Sequence, residues 1–545
     1  MSHKQEFPNP GSGNPFVNDM SYFKVSNDIV GGRPIFQLNS MTSSFNYEVA
    51  SLYRAGELNL PVKYVELGNE FYLGDEQFKE RFPSSLDYIN YANEFTDKLK
   101  AIVPFADTKV AVVGASTPNG IPGRRALWLD VILQNINKYP THRPDAITIH
   151  EYYSSGLTDQ IVVTPLANST IGRMLQKPFS RRDDLFADEL YDIALTNLNL
   201  SPSPPLEVWL TEYNLDESTG KNVGTWAHGL FNAIQTLTYL ESPLITHINS
   251  HAMTSNAVFG NIFENEKGFT SMTSGQLPNN IGTPASAFKT DKYGFTASGA
   301  ALNEIALALK GQSVIAHQID FSDPLIKKIQ YYKNEPLPSG SWVTTNYLDL
   351  YGWCFEKESG TEAIILNLGP NRYDFEEFDK VGYYNGGPVS FQSMVQLTSA
   401  DQTAGNGGVA LLNTLPTDFD DPLFTTTVTI IANPISSTAK LLLEPYSLTR
   451  LIYRDPTKFS IRLTDDEICE GSETSVIITG KPFGDVCTIV CTSPTHTVSF
   501  QPTLPNSSTD SVIVLTGLLK ETYTITATAG TATSPNTPPL NINSS

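Results

Sequence analysis

Between residues 34 and about 311, short apolar runs alternate with longer amphipathic stretches. The runs fall at residues 34–39, 62–67, 109–114, 146–150, 206–211 and 244–249. Each is strand-sized and stops at polar or glycine-containing sequence. Between them, Leu86, Ile89, Ala92, Phe95, Leu99 and Ile102 recur at steps of three or four, which lines one face of a helix over residues 85–105. Residues 224–240 and 297–309 carry the same period. Strand–helix alternation of this length predicts a parallel sheet with crossover helices, so the fold class is α/β.

Two of the strands end in carboxylates. Val62-Lys-Tyr-Val-Glu-Leu runs into Gly68-Asn69-Glu70, and Leu206-Glu-Val-Trp-Leu-Thr runs into Glu212. In a (β/α)8 barrel the C-terminal strand ends carry the chemistry, and two facing carboxylates are what glycoside hydrolysis needs. If Glu212 closes the seventh strand, counting backwards makes residues 34–39 the third and Glu70 the end of the fourth. The expectation is a TIM barrel lacking its first two strands, with that segment missing or separately encoded.

Beyond residue 312 the texture changes to alternating strands such as Ile364-Ile-Leu-Asn-Leu and Thr426-Thr-Val-Thr-Ile-Ile, with glycine-rich turns at 405–408. The expected organisation is a barrel domain (1–311), an all-β sandwich (312–454), an Ig-like β domain (455–532) and a linker or disordered tail (533–545).

Composition narrows the function. A net charge of −21 lacks the basic face that nucleic acid or an anionic membrane demands, and no apolar run is long enough to span a bilayer. No Walker loop, dinucleotide fingerprint or nucleophile elbow is present, and the cysteines make a poor zinc pattern, so no metal and no cofactor is expected. A single disulfide from Cys469 to Cys487 or Cys491 is expected. The sequons at Asn168, Asn506 and Asn543 fit an extracellular or cell-surface protein, although the first residues contain no signal-peptide apolar region.

Within the barrel, Glu70 and Glu212 are the candidate catalytic pair, with Glu70 raised in pKa by burial and by the field of Glu212. Asn69 is placed to bind a sugar 2-hydroxyl. His150 is placed to orient the acid or bind sugar, and Tyr152 to donate to Glu212. Side-chain alternation turns Glu151 away from them. Asn249 and His251, at the last strand end, are further substrate-binding candidates. Trp226, Trp128 and Tyr153 are candidate stacking platforms, with core packing as the competing reading for Trp226.

Gly68-Asn69-Glu70, His150-x-Tyr152 and Thr211-Glu212-Tyr213 together resemble the clan of retaining (β/α)8-barrel glycoside hydrolases. Over residues 34–450 the chain looks most like the α-L-arabinofuranosidase and heparanase/β-glucuronidase branches, which carry a C-terminal β-sandwich. The resemblance implies a carbohydrate substrate and makes Glu70 the acid/base, Glu212 the nucleophile, Asn69 the 2-hydroxyl ligand and Tyr152 the support of Glu212. The alternative is a catalytically inactive barrel fragment serving carbohydrate binding or adhesion. No Arg or Lys flanks the motifs to meet a uronic acid, which favours a neutral sugar.

Overall fold

A computed structural model of the chain describes residue 24 and residues 33–116, 123–139, 141–153, 170–200, 204–215, 226–251 and 297–310, together with shorter segments, mostly strands, between 260 and 543. The chain divides into two compact units. The first comprises Met1–Tyr153, Pro178–Asp216 and Thr238–Ala252; the second comprises Ser154–Lys177, Glu217–Leu237 and Met253–Ser545.

The first unit is built on six parallel strands in sequential order: β1 (Ile35–Gln37), β2 (Tyr64–Glu66), β3 (Lys109–Val113), β4 (Ala146–Tyr153), β5 (Glu207–Leu215) and β6 (Ile245–Ser250). All six apolar runs of the sequence are strands, and the sheet fits part of a TIM barrel. The intervening helices are α1 (Phe45–Glu57), α2 (Glu76–Arg81), α3 (Ser85–Lys100), α4 (Trp128–Asn135), α5 (Thr170–Ala187, of which residues 170–177 fall in the second unit) and α6 (Glu189–Leu200).

Helix α3 starts at a capping box, in which the Ser84 hydroxyl accepts from the Asp87 amide while the Asp87 carboxylate accepts from the Ser84 amide. Its buried face runs through Tyr88, Ile89, Ala92, Phe95 and Leu99. Leu86, read from the sequence as part of that face, is 44% exposed, and the helix ends at Lys100, not at 105. Tyr88 takes the inward position instead because its hydroxyl has two partners. It donates to the Leu67 carbonyl (2.9 Å) and accepts from the Val113 amide (2.7 Å). Its ring stacks on Trp128 at 5.6 Å, and the Trp128 indole donates to the Val113 carbonyl. Trp128 is therefore core, which corrects its reading as a sugar platform.

In the second unit, α7 (Trp226–Tyr239), whose last two residues belong to the first unit, and α8 (Ala297–Leu309) accompany an antiparallel sheet. Its strand order is Thr426–Ala432, Ser390–Ser399, Ser447–Arg454, Gly360–Asn367, Leu350–Lys357, Ala316–Ile319. Every residue of Gly360–Asn367 is buried. Arg450 on this sheet pairs with Glu304 of α8 (2.8 Å) and with Glu362 (3.0 Å), so the two charges brought by α8 and the sheet share one guanidinium. Further sheets follow from residue 460. Leu540–Asn543, within the stretch expected to be a tail, is a strand pairing in parallel with Glu467–Cys469. Cys491 is a free, buried thiol, which removes it from the expected disulfide. Cys469 and Cys487 lie on strands, but their side chains fall outside the described ones, as do the turn at 405–408 and the sequons at Asn168 and Asn506. No helix of the described residues is long and apolar enough to cross a membrane.

Tyr88 ties together the points where β2 and β3 leave the sheet. Tyr88→Phe is expected to lower unfolding free energy by about 1–3 kcal/mol, the cost of leaving buried backbone groups unpaired. Urea denaturation followed by circular dichroism measures it.

Candidate active site

The chain leaves β2 at Glu66 and turns sharply. Gly68 has φ +100, where a Cβ would lie 2.1 Å from the Phe71 ring, so only glycine fits. Glu70 itself has φ +45, a left-handed conformation that costs a non-glycine residue about 1–2 kcal/mol. That turn lets Phe71 bury itself below while the Glu70 carboxylate faces β4. Arg124 fixes the following segment by donating to the Phe71 and Pro83 carbonyls at 2.9 and 2.8 Å.

A bulge places the second carboxylate. β4 and β5 run in register from Ala146/Glu207 to Ile149/Leu210, then slip by one, so that His150 pairs with Glu212 and Thr211 is the extra residue. Without the slip Glu212 would pair with Glu151 and share its orientation. Glu151 is buried against Arg181, at 3.2 Å, on the side away from the site, as alternation predicts. The bulge turns Glu212 onto the face that His150 and Tyr152 share.

These backbone features gather Glu70, His150 and Glu212. One ligand atom of each lies within 4.8 Å of the others. His150 is 5% exposed; Glu70 and Glu212 are 24% and 25% exposed. The His150 Nδ1 is 3.0 Å from Glu70 Oε1 and 3.6 Å from Glu212 Oε2, while Nε2 is 3.1 Å from Thr211 Oγ1. Two tyrosine hydroxyls complete the set: Tyr72 donates to Glu70 Oε1 (2.9 Å) and Tyr152 to Glu212 Oε2 (2.7 Å). The same spacing would admit a small cation. In this structure both ring nitrogens and both carboxylates have hydrogen-bond partners within the cluster.

Charge follows from this packing. Burial alone would raise Glu70, but the hydrogen bond and charge of His150, the Tyr72 hydroxyl and the Arg125 guanidinium outweigh it, and the carboxyl is held below its ordinary value. This corrects the expectation of a raised Glu70. His150 moves the other way: burial lowers it, and the hydrogen bond to Glu70 with the charges of Glu212, Glu66 and Glu70 raises it overall. The proton of the unliganded pair therefore sits on the imidazole. Tyr72 and Tyr152 are pushed well above the ordinary phenol range, by burial first and then by Glu70 and Glu212 respectively, so both remain donors.

No family model matches the chain, and no curated protein matches it. Solved structures do, glycoside hydrolases among them. The family 51 α-L-arabinofuranosidase AbfB from Bifidobacterium longum superposes with a TM-score of 0.54 at 12% identity, covering 80% of this chain and 79% of that one. The thermostable GH51 α-L-arabinofuranosidase from Thermotoga petrophila RKU-1 gives 0.52 at 14% identity, covering 79% and 78%. At these identities the likeness is one of fold.

The other candidates separate cleanly. Asn69 sits beside Glu70, its side-chain oxygen accepting from Gln37 at 3.0 Å. His251 is exposed next to Tyr152, with ring centroids 5.9 Å apart. Asn249 is exposed on β6. Trp226 is fully buried in the second unit and its indole donates to the Tyr446 carbonyl, so core packing replaces the substrate role. His150 has both ring nitrogens engaged, Nδ1 with Glu70 and Nε2 with Thr211. The side chain of Tyr153 is outside the described residues. Sequence reading gave no role to Tyr72, Thr211, Gln37, Arg125 or Glu66. Of these, only Glu66 left a signal, a charged residue inside an apolar strand.

Gly68→Ala is expected to destabilise the unit by about 1–3 kcal/mol through the forced φ and the clash with Phe71. Its urea midpoint should fall accordingly, whereas Gly74→Ala, where a Cβ meets nothing within 4 Å, should be nearly neutral.

Proposed function

We propose that the chain is a retaining glycoside hydrolase, with Glu212 as nucleophile and Glu70 as acid/base. The observation carrying this reading is the separation of the carboxylates, whose nearest oxygens lie within 4.8 Å. Double displacement needs carboxyl groups roughly 5–5.5 Å apart, whereas inversion needs about 6.5–9.5 Å to admit a water.

Strands β1–β6 are read as the third to eighth of a (β/α)8 barrel, with β2 and β5 as the fourth and seventh, followed by a β-sandwich and an Ig-like domain. In the first step Glu212 attacks the anomeric carbon while the leaving oxygen takes a proton from Glu70. Tyr152, donating to Glu212, keeps it aligned. His150, through Nδ1–H, donates to the carboxylate that is left as Glu70 gives its proton away. In the second step Glu70, as carboxylate, takes a proton from the attacking water, and Glu212 leaves. Asn69, held by Gln37, meets the 2-hydroxyl. The substrate is read as a neutral glycoside of extracellular polysaccharide. The α-L-arabinofuranosides named for the structures of like fold are the first to try.

Glu212→Ala should eliminate turnover with the fold intact. Glu70→Ala should lower kcat/KM about 10²–10⁴-fold on substrates with poor leaving groups, yet spare the first step on activated aryl glycosides. Wild-type rates in both variants would remove the assignment.

The acid proton is shared by Glu70 and His150, and it is present below the raised histidine pKa and lost as pH climbs through it. The alkaline limb of the kcat/KM profile should therefore lie above the ordinary histidine value and move in His150→Gln. A profile unchanged by that substitution contradicts the shared proton.

A further inference from the structure

The third carboxyl group of the cluster has no part in the reaction above. Glu66 closes β2, is 3% exposed, and faces His150 from the side opposite Glu70. Its Oε1 lies 3.4 Å from Thr211 Oγ1 and 3.9 Å from His150 Nε2. Thr148 on β4 adds a hydrogen bond. A carboxylate in an apolar strand is costly unless paired or protonated, and the cation beside it is the His150 ring.

We propose that Glu66, Thr211 and His150 form a proton relay behind Glu70, with Glu66 as a positioning residue that holds the proton His150 takes up when Glu70 is ionised. The role in turnover rests on Glu70 being the acid/base; the relay itself does not.

The hydrogen bonds allow two arrangements with the same number of protons. In one, the Glu66 carboxylic acid donates to Thr211 Oγ, Thr211 donates to Nε2 of a neutral His150, and Nδ1–H donates to Glu70. In the other, the Glu66 proton has moved to Thr211 Oγ and the Thr211 proton to Nε2. Two O–H bonds break, one O–H and one N–H form, and the Thr211 hydroxyl now points at an ionised Glu66. His150 becomes imidazolium without a proton from solvent. The imidazolium then offsets Glu70 when it has lost its proton close to Glu212, and the relay reverses when Glu70 is reprotonated. The bulge explains the third member, because Thr211 is the extra residue of β5 and lies between the imidazole and Glu66.

Burial raises the Glu66 carboxyl, as a proton store requires, although the His150 charge opposes it. Among the described residues, the other charged or titratable groups around the relay are Glu70 and Tyr72 after β2, Glu212 on β5, Tyr152 on β4, Tyr88 on α3 and Arg125 before α4. Glu151 faces away and is paired with Arg181.

The test is a titration of the full chain labelled with ¹⁵N-histidine, followed by NMR, with His150→Gln identifying the His150 signals. In the wild type the ring should gain its charge in two steps, because a proton shared by two sites titrates as a pair. In Glu66→Gln the upper step should fall by about one pH unit or more, a roughly tenfold loss of proton affinity, and the curve should become single. An unchanged His150 curve overturns the proposal. If Glu66→Gln does not fold, Thr211→Val keeps Glu66 but cuts the path; loss of the two-step curve supports the relay and its persistence overturns it. The readout needs no substrate. A relay signature with no hydrolysis would count against the glycosidase reading alone, and hydrolysis with an unaltered His150 curve would count against the relay alone.

Discussion

The site depends on one imidazole holding three carboxyl groups in a small space. Glu66, Glu70 and Glu212 each lie within 4 Å of a His150 nitrogen, and the ring is almost completely buried. Carboxylates so close repel one another, and burial removes the water that would screen them. A protonated ring between them makes the assembly tolerable, which is why His150 is raised and Glu70 lowered despite burial. Remove the ring, and at least one carboxyl must take up a proton or move.

The backbone is distorted on both sides of that ring for the same purpose. Just after β2 the chain adopts two positive-φ residues in three, Gly68 and Glu70, to swing a carboxylate towards β4. On β5 an extra residue shifts the register so that Glu212 and Thr211 both reach His150. Neither feature helps the sheet. Tyr88, Trp128, Arg124 and the Phe71 ring hold the first distortion in place through buried hydrogen bonds and aromatic packing.

Much of this was legible in the chain. All six parallel strands follow from apolar runs, and Gly68-Asn69-Glu70, His150 and Glu212 stand out because polar groups end those runs. Period-two alternation also places Glu151 outside. It fails at Thr211, because a bulge breaks the period without leaving a glycine or proline to mark it, so the strand was read to stop where it continues to Leu215. The ionisation of Glu70 was misjudged for a related reason. Burial and Glu212 were visible, but the opposing hydrogen bonds from His150 and Tyr72 exist only once the turn is folded. Trp226 and Trp128 show the limit of residue type as a guide, since an indole near a strand or helix end packs in a core as readily as under a sugar.

The central claim, that Glu212 attacks carbon with Glu70 beside it, is tested most directly by incubating the folded chain with mechanism-based glycosyl probes and locating the adduct by peptide mass spectrometry. A panel beginning with α-L-arabinofuranosyl cyclophellitol analogues is suitable. The account predicts a stable ester on Glu212, absent in Glu212→Gln, and the reactive probe identifies the sugar. An adduct on Glu70 or on any other carboxylate, or no adduct across the panel on folded protein, contradicts it.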